Sequence, residues 1–180
     1  SSATEASSRV LANFIKSGAD DYLAKPYCHE EFFVRVIQNI EYLEQIELIR
    51  KTANADYLTG LPNRRHFFSQ VNEYLNRDLE HKTLALMDLD FFKTVNDSYG
   101  HDHGDIVLKE FSKLLAKHFS TQCISRFGGE EFCVFLPNVS LKEAIPLLES
   151  FRVAVSKKRF IRKGVGITCT VSIGVTSKFK

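Results

Sequence analysis

Two adjacent glycines, Gly128 and Gly129, sit between the apolar runs Ile124–Phe127 and Phe132–Leu136 in the stretch SRFGGEEFCVF. This pattern predicts a hairpin, with the two runs as strands and the glycine pair as its tight turn. A plain hairpin gains nothing from acids at Glu130 and Glu131, where like charges repel. Glycine backbone, in contrast, can approach a ligand closely. Acids beside open backbone make this turn the first candidate site.

The rest of the second half fits around that hairpin. DYLTGLPNRRHF (Asp56–Phe67) is a turn-rich entry in which Asn63 is a good helix N-cap, and Phe67, Phe68, Val71, Tyr74 and Leu75 form one helical face. Thr83–Asp88 reads as a buried strand ending in Asp-Leu-Asp; a loop over Phe91–Asp105 follows, then a helix through Phe119. After the hairpin, a helix spans about Leu141–Lys157, bent or restarted near Pro146, and Ile167–Val175 alternates as one half-buried strand. The order helix, strand, helix, hairpin, helix, strand predicts an α+β fold with helices on a sheet.

Residues 1–52 read as a separate block. A helical pattern over Ala6–Lys16 stops at Gly18, Asp21–Lys25 is a short strand-like run broken by Pro26, and a long helix begins at Glu30. Phe33, Val36, Ile40 and Leu43 form a stripe on that helix, consistent with either a coiled coil or an amphipathic helix packed on its own domain. With 180 residues, the chain has room for one core, or one domain plus a fragment of another. A net charge of +2 offers no argument for nucleic acid, and no apolar run has membrane-spanning length. Cys28, Cys123, Cys133 and Cys169 are scattered without CxxC spacing, as expected of reduced thiols in a cytoplasmic protein rather than of a zinc site.

Four acids end strands or turns: Asp88 and Asp90 after the first strand, Glu130 and Glu131 at the hairpin. Taken singly, each is an ordinary solvated turn residue. If the first strand lies beside the hairpin they meet on one edge, and carboxylates that close raise one another's pKa or recruit a cation. Oxygen ligands suit a hard divalent ion, and magnesium keeps positions for water and phosphate. In the loop FFKTVNDSYGHDHGD, backbone N–H groups with Lys93 can hold phosphates, while Asn96 and Asp105 offer an amide and a carboxylate that can read a guanine edge. Asn96 can equally close an Asx turn. His101 and His103 have no cysteine or third histidine nearby in sequence and read as surface or hydrogen-bonding histidines.

RFGGEEF, together with DYLTGLPNRR, MDLDFFKTVNDSYGHDHGD and TVSIGV in register, resembles the GGDEF family of diguanylate cyclases in its GGEEF form. The resemblance implies a ferredoxin-like, nucleotidyl-cyclase-like domain over 53–180, lacking the family's last helix and strand. It implies Asp88, the Leu89 carbonyl, Glu130 and Glu131 as ligands of Mg2+ or Mn2+, with Glu130 as base for the attacking 3′-hydroxyl and Glu131 assisting. Lys93, Asn96, His101, Asp105, Gly128, Gly129, Phe91 and Phe92 would bind substrate. The implied reaction condenses two GTP into cyclic di-GMP and two pyrophosphates across a homodimer; the alternative is a silent module that binds GTP or cyclic di-GMP. The family's product-inhibition motif, Arg-x-x-Asp, falls here on Phe119 and Gln122, which predicts no strong inhibition through that site. GADDYLAKPY (Gly18–Tyr27) resembles the end of a response-regulator receiver domain, with Lys25 as the phosphate-sensing lysine and Ser2 as its hydroxyl partner. Residues 1–52 would then be a C-terminal receiver fragment plus linker helix, and an upstream histidine kinase would act on the full receiver.

Overall fold

A computed structural model describes residues 16–19, 21, 23, 25–162 and 164–178. The elements are α1 (His29–Asn54), α2 (Arg64–Leu75), β1 (Lys82–Leu89), α3 (Phe92–Tyr99) and α4 (His101–His118). They continue with β2 (Cys123–Gly128), β3 (Glu131–Pro137), α5 (Leu141–Lys157), β4 (Phe160–Arg162), β5 (Val165–Ile167) and β6 (Val171–Thr176). The chain divides into two compact units, Ser1–Ile49 and Arg50–Lys180.

In the second unit, β2, β3, β1 and β6 lie side by side in that order, antiparallel throughout. The path β1–α4–β2–β3–α5–β6 is ferredoxin-like, the α+β class the sequence predicts. Along β1, Ala85, Met87 and Leu89 face the buried side of α4 (Val107, Phe111, Leu115) and of α5 (Leu148, Phe151, Val155). Phe111 lies 4.6 Å from Phe132 and 5.4 Å from Phe151, ring to ring. Each such buried ring contributes about 1.5–3 kcal/mol. On the opposite face, α2 lays Phe67 and Val71 over Cys123, Cys133 and Phe135. β3 is thus covered on both faces, which explains its unbroken apolar run FCVFL. β1 is not: Leu84 is half-buried near α2, but Leu86 is 45% exposed and Asp88 follows it on the same open side.

Several local expectations change. The stretch Phe91–Asp105 is not a loop but α3 and the start of α4, joined at Gly100. Only Phe92 and Val95 of α3 are buried, too few for a visible helical period. The turn residues of the hairpin are Gly129 and Glu130, with Gly128 ending β2 beyond a register shift after Arg126. α5 runs through Pro146 without restarting: the proline removes one bond, to the Lys142 carbonyl, while Ala144, Leu148, Phe151 and Val155 hold the buried face. The single strand expected over Ile167–Val175 is two, because Val165–Ile167 pairs back on Phe160–Arg162 and only Val171 onward joins the main sheet.

In the first unit, Asp21, Leu23 and Lys25 form no strand; the Asp21 carboxylate instead meets the Arg35 guanidinium of α1 at 3.1 Å. Among the described residues no strand pairs with Asp21, Leu23 or Lys25. The expected Ala6–Lys16 helix, save its last residue, and Ser2 lie outside the described residues. Phe33, Val36, Ile40 and Leu43 of α1 are all exposed.

Candidate functional site

The ladder sets Asp88 opposite Glu131 on β3 and opposite Ser172 on β6. One residue on, the Leu89 N–H meets the Glu130 carbonyl at 3.3 Å. The end of β1 and the glycine turn are therefore one edge, and Asp88 meets Glu130 and Glu131 there because β1 lies beside β3, the condition on which that expectation depended. The Asp88 carboxyl is pushed above its ordinary range by partial burial, then by the charges of Glu130, Glu131 and Asp90. That mutual repulsion is what a bound cation would relieve.

The fourth acid is held differently. Thr170 Oγ1 donates to Asp90 Oδ2 at 2.5 Å and Ser172 Oγ to Oδ1 at 2.6 Å. The Asp90 N–H donates to the Thr170 carbonyl at 3.0 Å. With both oxygens engaged by hydroxyls, Asp90 stands apart from Asp88, Glu130 and Glu131. Two clefts, of about 460 and 700 Å3, flank it, and neither is lined by Glu130 or Glu131.

Gly129 adopts φ 52° and Gly128 φ 151°, conformations that side-chain-bearing residues rarely adopt. A Cβ at either would meet nothing within 4 Å, so the requirement is conformational rather than one of crowding. Arg126 fixes the turn from below: its Nε and Nη2 donate to the Gly129 carbonyl at 3.0 and 2.8 Å. Its Nη1 donates to Asp56 Oδ1 at 2.9 Å, and its backbone N–H donates to the Pro62 carbonyl at 3.1 Å. Burial works to raise Asp56, but hydrogen bonds from Thr59 and Arg126 outweigh it and hold the carboxyl below its ordinary value. Asn63 caps α2 as predicted, accepting from the His66 N–H at 3.0 Å.

Most of the residues expected to bind substrate sit around the α3–α4 corner. Lys93 and His101 are exposed on the first turns of α3 and α4. Asn96 lays its side-chain oxygen against Gly104, where a Cβ would stand 2.0 Å from Oδ1, one residue before half-buried Asp105. Phe91 is 83% exposed at φ 57°, whereas Phe92 packs into the core and has only its backbone to offer a ligand. Arg126, Asp56, Thr170, Ser172 and Gly104 were given no role by the sequence reading; four lie inside the quoted motifs DYLTGLPNRR, TVSIGV and HDHGD, and Arg126 begins RFGGEEF.

Among the described residues no group of three His, Cys, Asp or Glu side chains is gathered closely enough to hold a metal ion unaided. The donors expected there, Asp88, Glu130 and Glu131 with the Leu89 carbonyl, would nevertheless all be oxygen. Magnesium bound by one or two carboxylates keeps its remaining positions for water and phosphate, so this sparse set fits it.

A family model described as diguanylate cyclase, GGDEF domain, matches residues 53–179. The response regulator PleD of Caulobacter vibrioides is 32% identical over 182 residues, covering 93% of this chain and 40% of PleD. Diguanylate cyclase A of Treponema denticola is 36% identical over 153 residues, covering 79% of this chain and 41% of the relative. The chain thus spans about two fifths of the length of these curated relatives. Among solved structures, the coiled coil and GGDEF domain of DgcB from Caulobacter crescentus, in complex with c-di-GMP, superposes with a TM-score of 0.73 at 28% identity, covering 81% of each chain.

Proposed function

The chain belongs to the GGDEF diguanylate cyclase family over residues 53–179, and from that premise we propose that it condenses two GTP into cyclic di-GMP with release of two pyrophosphates. The observation that carries the reading is the meeting of Asp88 with Glu130 and Glu131 beside a glycine turn, with the Asp88 carboxyl raised by its neighbours.

Asn96 and Asp105 read the guanine edge, and Lys93, His101 and the Phe91–Phe92 backbone hold the phosphates at the start of α3. Asp88, Glu130, Glu131 and the Leu89 carbonyl hold the divalent ion. When bound, Mg2+ or Mn2+ supplies charge neutralisation at the reacting phosphate. Glu130 takes the proton of the attacking 3′-hydroxyl. The new O3′–Pα bond forms as the bond from Pα to the pyrophosphate oxygen breaks, and a second, reciprocal attack closes the ring. One domain holds one GTP, so two copies must face each other. The exposed Phe33, Val36, Ile40 and Leu43 of α1 support pairing of two chains.

Residues before 53 fit the end of a receiver, with Lys25 in the sensing position and a histidine kinase upstream, which makes this a cytoplasmic output domain. The alignment with PleD, itself a response regulator, extends over that region. No helix among the described residues is long and apolar enough to cross a membrane.

Incubation of the full chain with GTP and Mg2+, followed by chromatographic detection of cyclic di-GMP, tests the reading. Glu130→Gln should lower turnover at least about a hundredfold, the typical loss of one transition-state stabiliser. Wild-type turnover in that variant overturns the assignment of Glu130, and GTP binding without any product identifies a silent module.

A further inference from the structure

The geometry points to Asp90 as a positioning residue that aims the Leu89 carbonyl, a role that rests on the metal reading above. The Leu89 C=O and the Asp90 N–H belong to one trans peptide plane and point in opposite directions. The Asp90 N–H is bound to the Thr170 carbonyl, at 3.0 Å on the β6 side. The Leu89 oxygen is therefore turned toward β3, the side on which the Leu89 N–H already meets the Glu130 carbonyl.

That plane cannot rotate while Asp90 is held, and its side chain supplies the hold through the Thr170 and Ser172 hydroxyls. Phe91, the next residue, sits in the left-handed region at φ 57° and has no side-chain cap bond to α3. Such a conformation is strained for a phenylalanine and persists only where its surroundings enforce it. Asp90 is the enforcing group: one residue fixes the carbonyl before it and the turn into α3 after it. The Asp88 carboxylate, by contrast, makes no hydrogen bond or ion pair with the described residues and keeps both oxygens for a cation. Two acids that look alike in Asp-Leu-Asp have separate jobs, and Thr170 and Ser172 decide which is which.

The test compares the full-length wild type with Asp90→Asn, Asp90→Ala, the double variant Thr170→Val/Ser172→Ala and the triple combination. Mn2+ binding is followed by electron paramagnetic resonance, amide exchange at Thr94 and Val95 by mass spectrometry, and turnover with GTP. The double variant keeps every carboxylate, yet should bind Mn2+ about 10–100-fold more weakly, the usual cost of losing an outer support of a metal ligand. Its Thr94 and Val95 amides should exchange at least about tenfold faster, since both donate to the Phe91 carbonyl. Its kcat should fall by a similar factor with KM for GTP within about threefold, and adding Asp90→Ala should worsen it no further, as for groups acting as a unit. Asp90→Asn, which can still accept from one hydroxyl and donate to the other, should retain more turnover than Asp90→Ala.

If Asp90 were itself a ligand, the double variant would free it and bind Mn2+ as tightly as wild type, and Asn would be as damaging as Ala. Either result overturns the positioning role, as does unchanged amide exchange. A wild-type protein that binds no Mn2+ overturns the underlying metal reading instead, which separates the two failures.

Discussion

Arg126 and Asp56, 70 residues apart in sequence, form an ion pair at 2.9 Å with side chains only 9% and 16% exposed. The same guanidinium holds the Gly129 carbonyl, so the turn-rich entry loop and the glycine turn are joined through one side chain. A planar fork with five donors can serve both at once, which a lysine cannot.

Arg126→Lys should therefore lose the Gly129 contacts while keeping a charge near Asp56, and Arg126→Ala should lose both. Removing one partner of a buried pair leaves the other charge uncompensated, and the Ala variant should lose about 3 kcal/mol. Urea unfolding at an unchanged m-value checks it. The Lys variant should keep more stability than Ala but show a similar loss of turnover, because the turn is what the reaction needs. Equal loss of stability in both would place the whole effect in the Gly129 contacts, which both variants lose.

Asp56 and Asp88 should carry opposite pH signatures. Asp56 is held below its ordinary value of 3.8, so it contributes stability above that value and loses it as pH falls through the lower, folded pKa. Asp88 is held above the same ordinary value, so its ionised form opposes folding at neutral pH, and the opposition disappears as pH falls through its folded pKa toward 3.8. Metal-free Asp88→Asn should thus melt higher than wild type near pH 7, with the gap closing in acid. Mg2+ should raise the melting temperature of wild type but not of the variant. A variant that melts no higher at neutral pH would show that the carboxylates are relaxed without a cation.

The hairpin and β3 were legible because their signals are local: a glycine pair, and an apolar run covered on both faces. α3 was not, since KTVNDSYG carries one buried position, Val95, and its polar residues read as a loop. The capping box of α5, Ser140 with Glu143, is a local signal the sequence does hold at that helix start. The Arg126–Asp56 pair has no local signature at a separation of 70 residues. The strand period puts Asp88 and Asp90 on one face, and only the position of Thr170 and Ser172 on the far side of β1 tells them apart. Tertiary register, not composition, divides the site.

The α3–α4 corner offers a test in which two effects have opposite signs. Gly104 lies within α4, where replacing glycine by alanine ordinarily stabilises by about 0.4–1 kcal/mol. A Cβ there would stand 2.0 Å from Asn96 Oδ1, and that amide would have to move. Because the displaced atom ends a side chain, the fold should survive. Gly104→Ala should raise KM for GTP about tenfold or more with a smaller change in kcat, the signature of lost ground-state binding. Inosine triphosphate, which lacks the exocyclic amine, should lose less. Unchanged KM for both nucleotides would remove Asn96 from guanine recognition.

Phe119 and Gln122 occupy the places where the family's inhibitory motif has arginine and aspartate. Phe119 is 4% exposed, with its ring 5.4 Å from that of Phe151, so it belongs to the core and presents nothing to a ligand. The Gln122 amide nitrogen donates to Thr121 Oγ1 at 3.3 Å while its Oε1 is buried. Neither residue offers the bidentate guanidinium or the carboxylate that would seize a guanine or a phosphate. Phe119→Arg alone should not create an inhibitory site: the charge would enter the core beside Phe151 and cost several kcal/mol before any ligand bound. Calorimetry with cyclic di-GMP should accordingly find no submicromolar binding that survives Asn96→Ala/Asp105→Ala. Tight binding that persists in that double variant would reveal an inhibitory surface built from residues other than these.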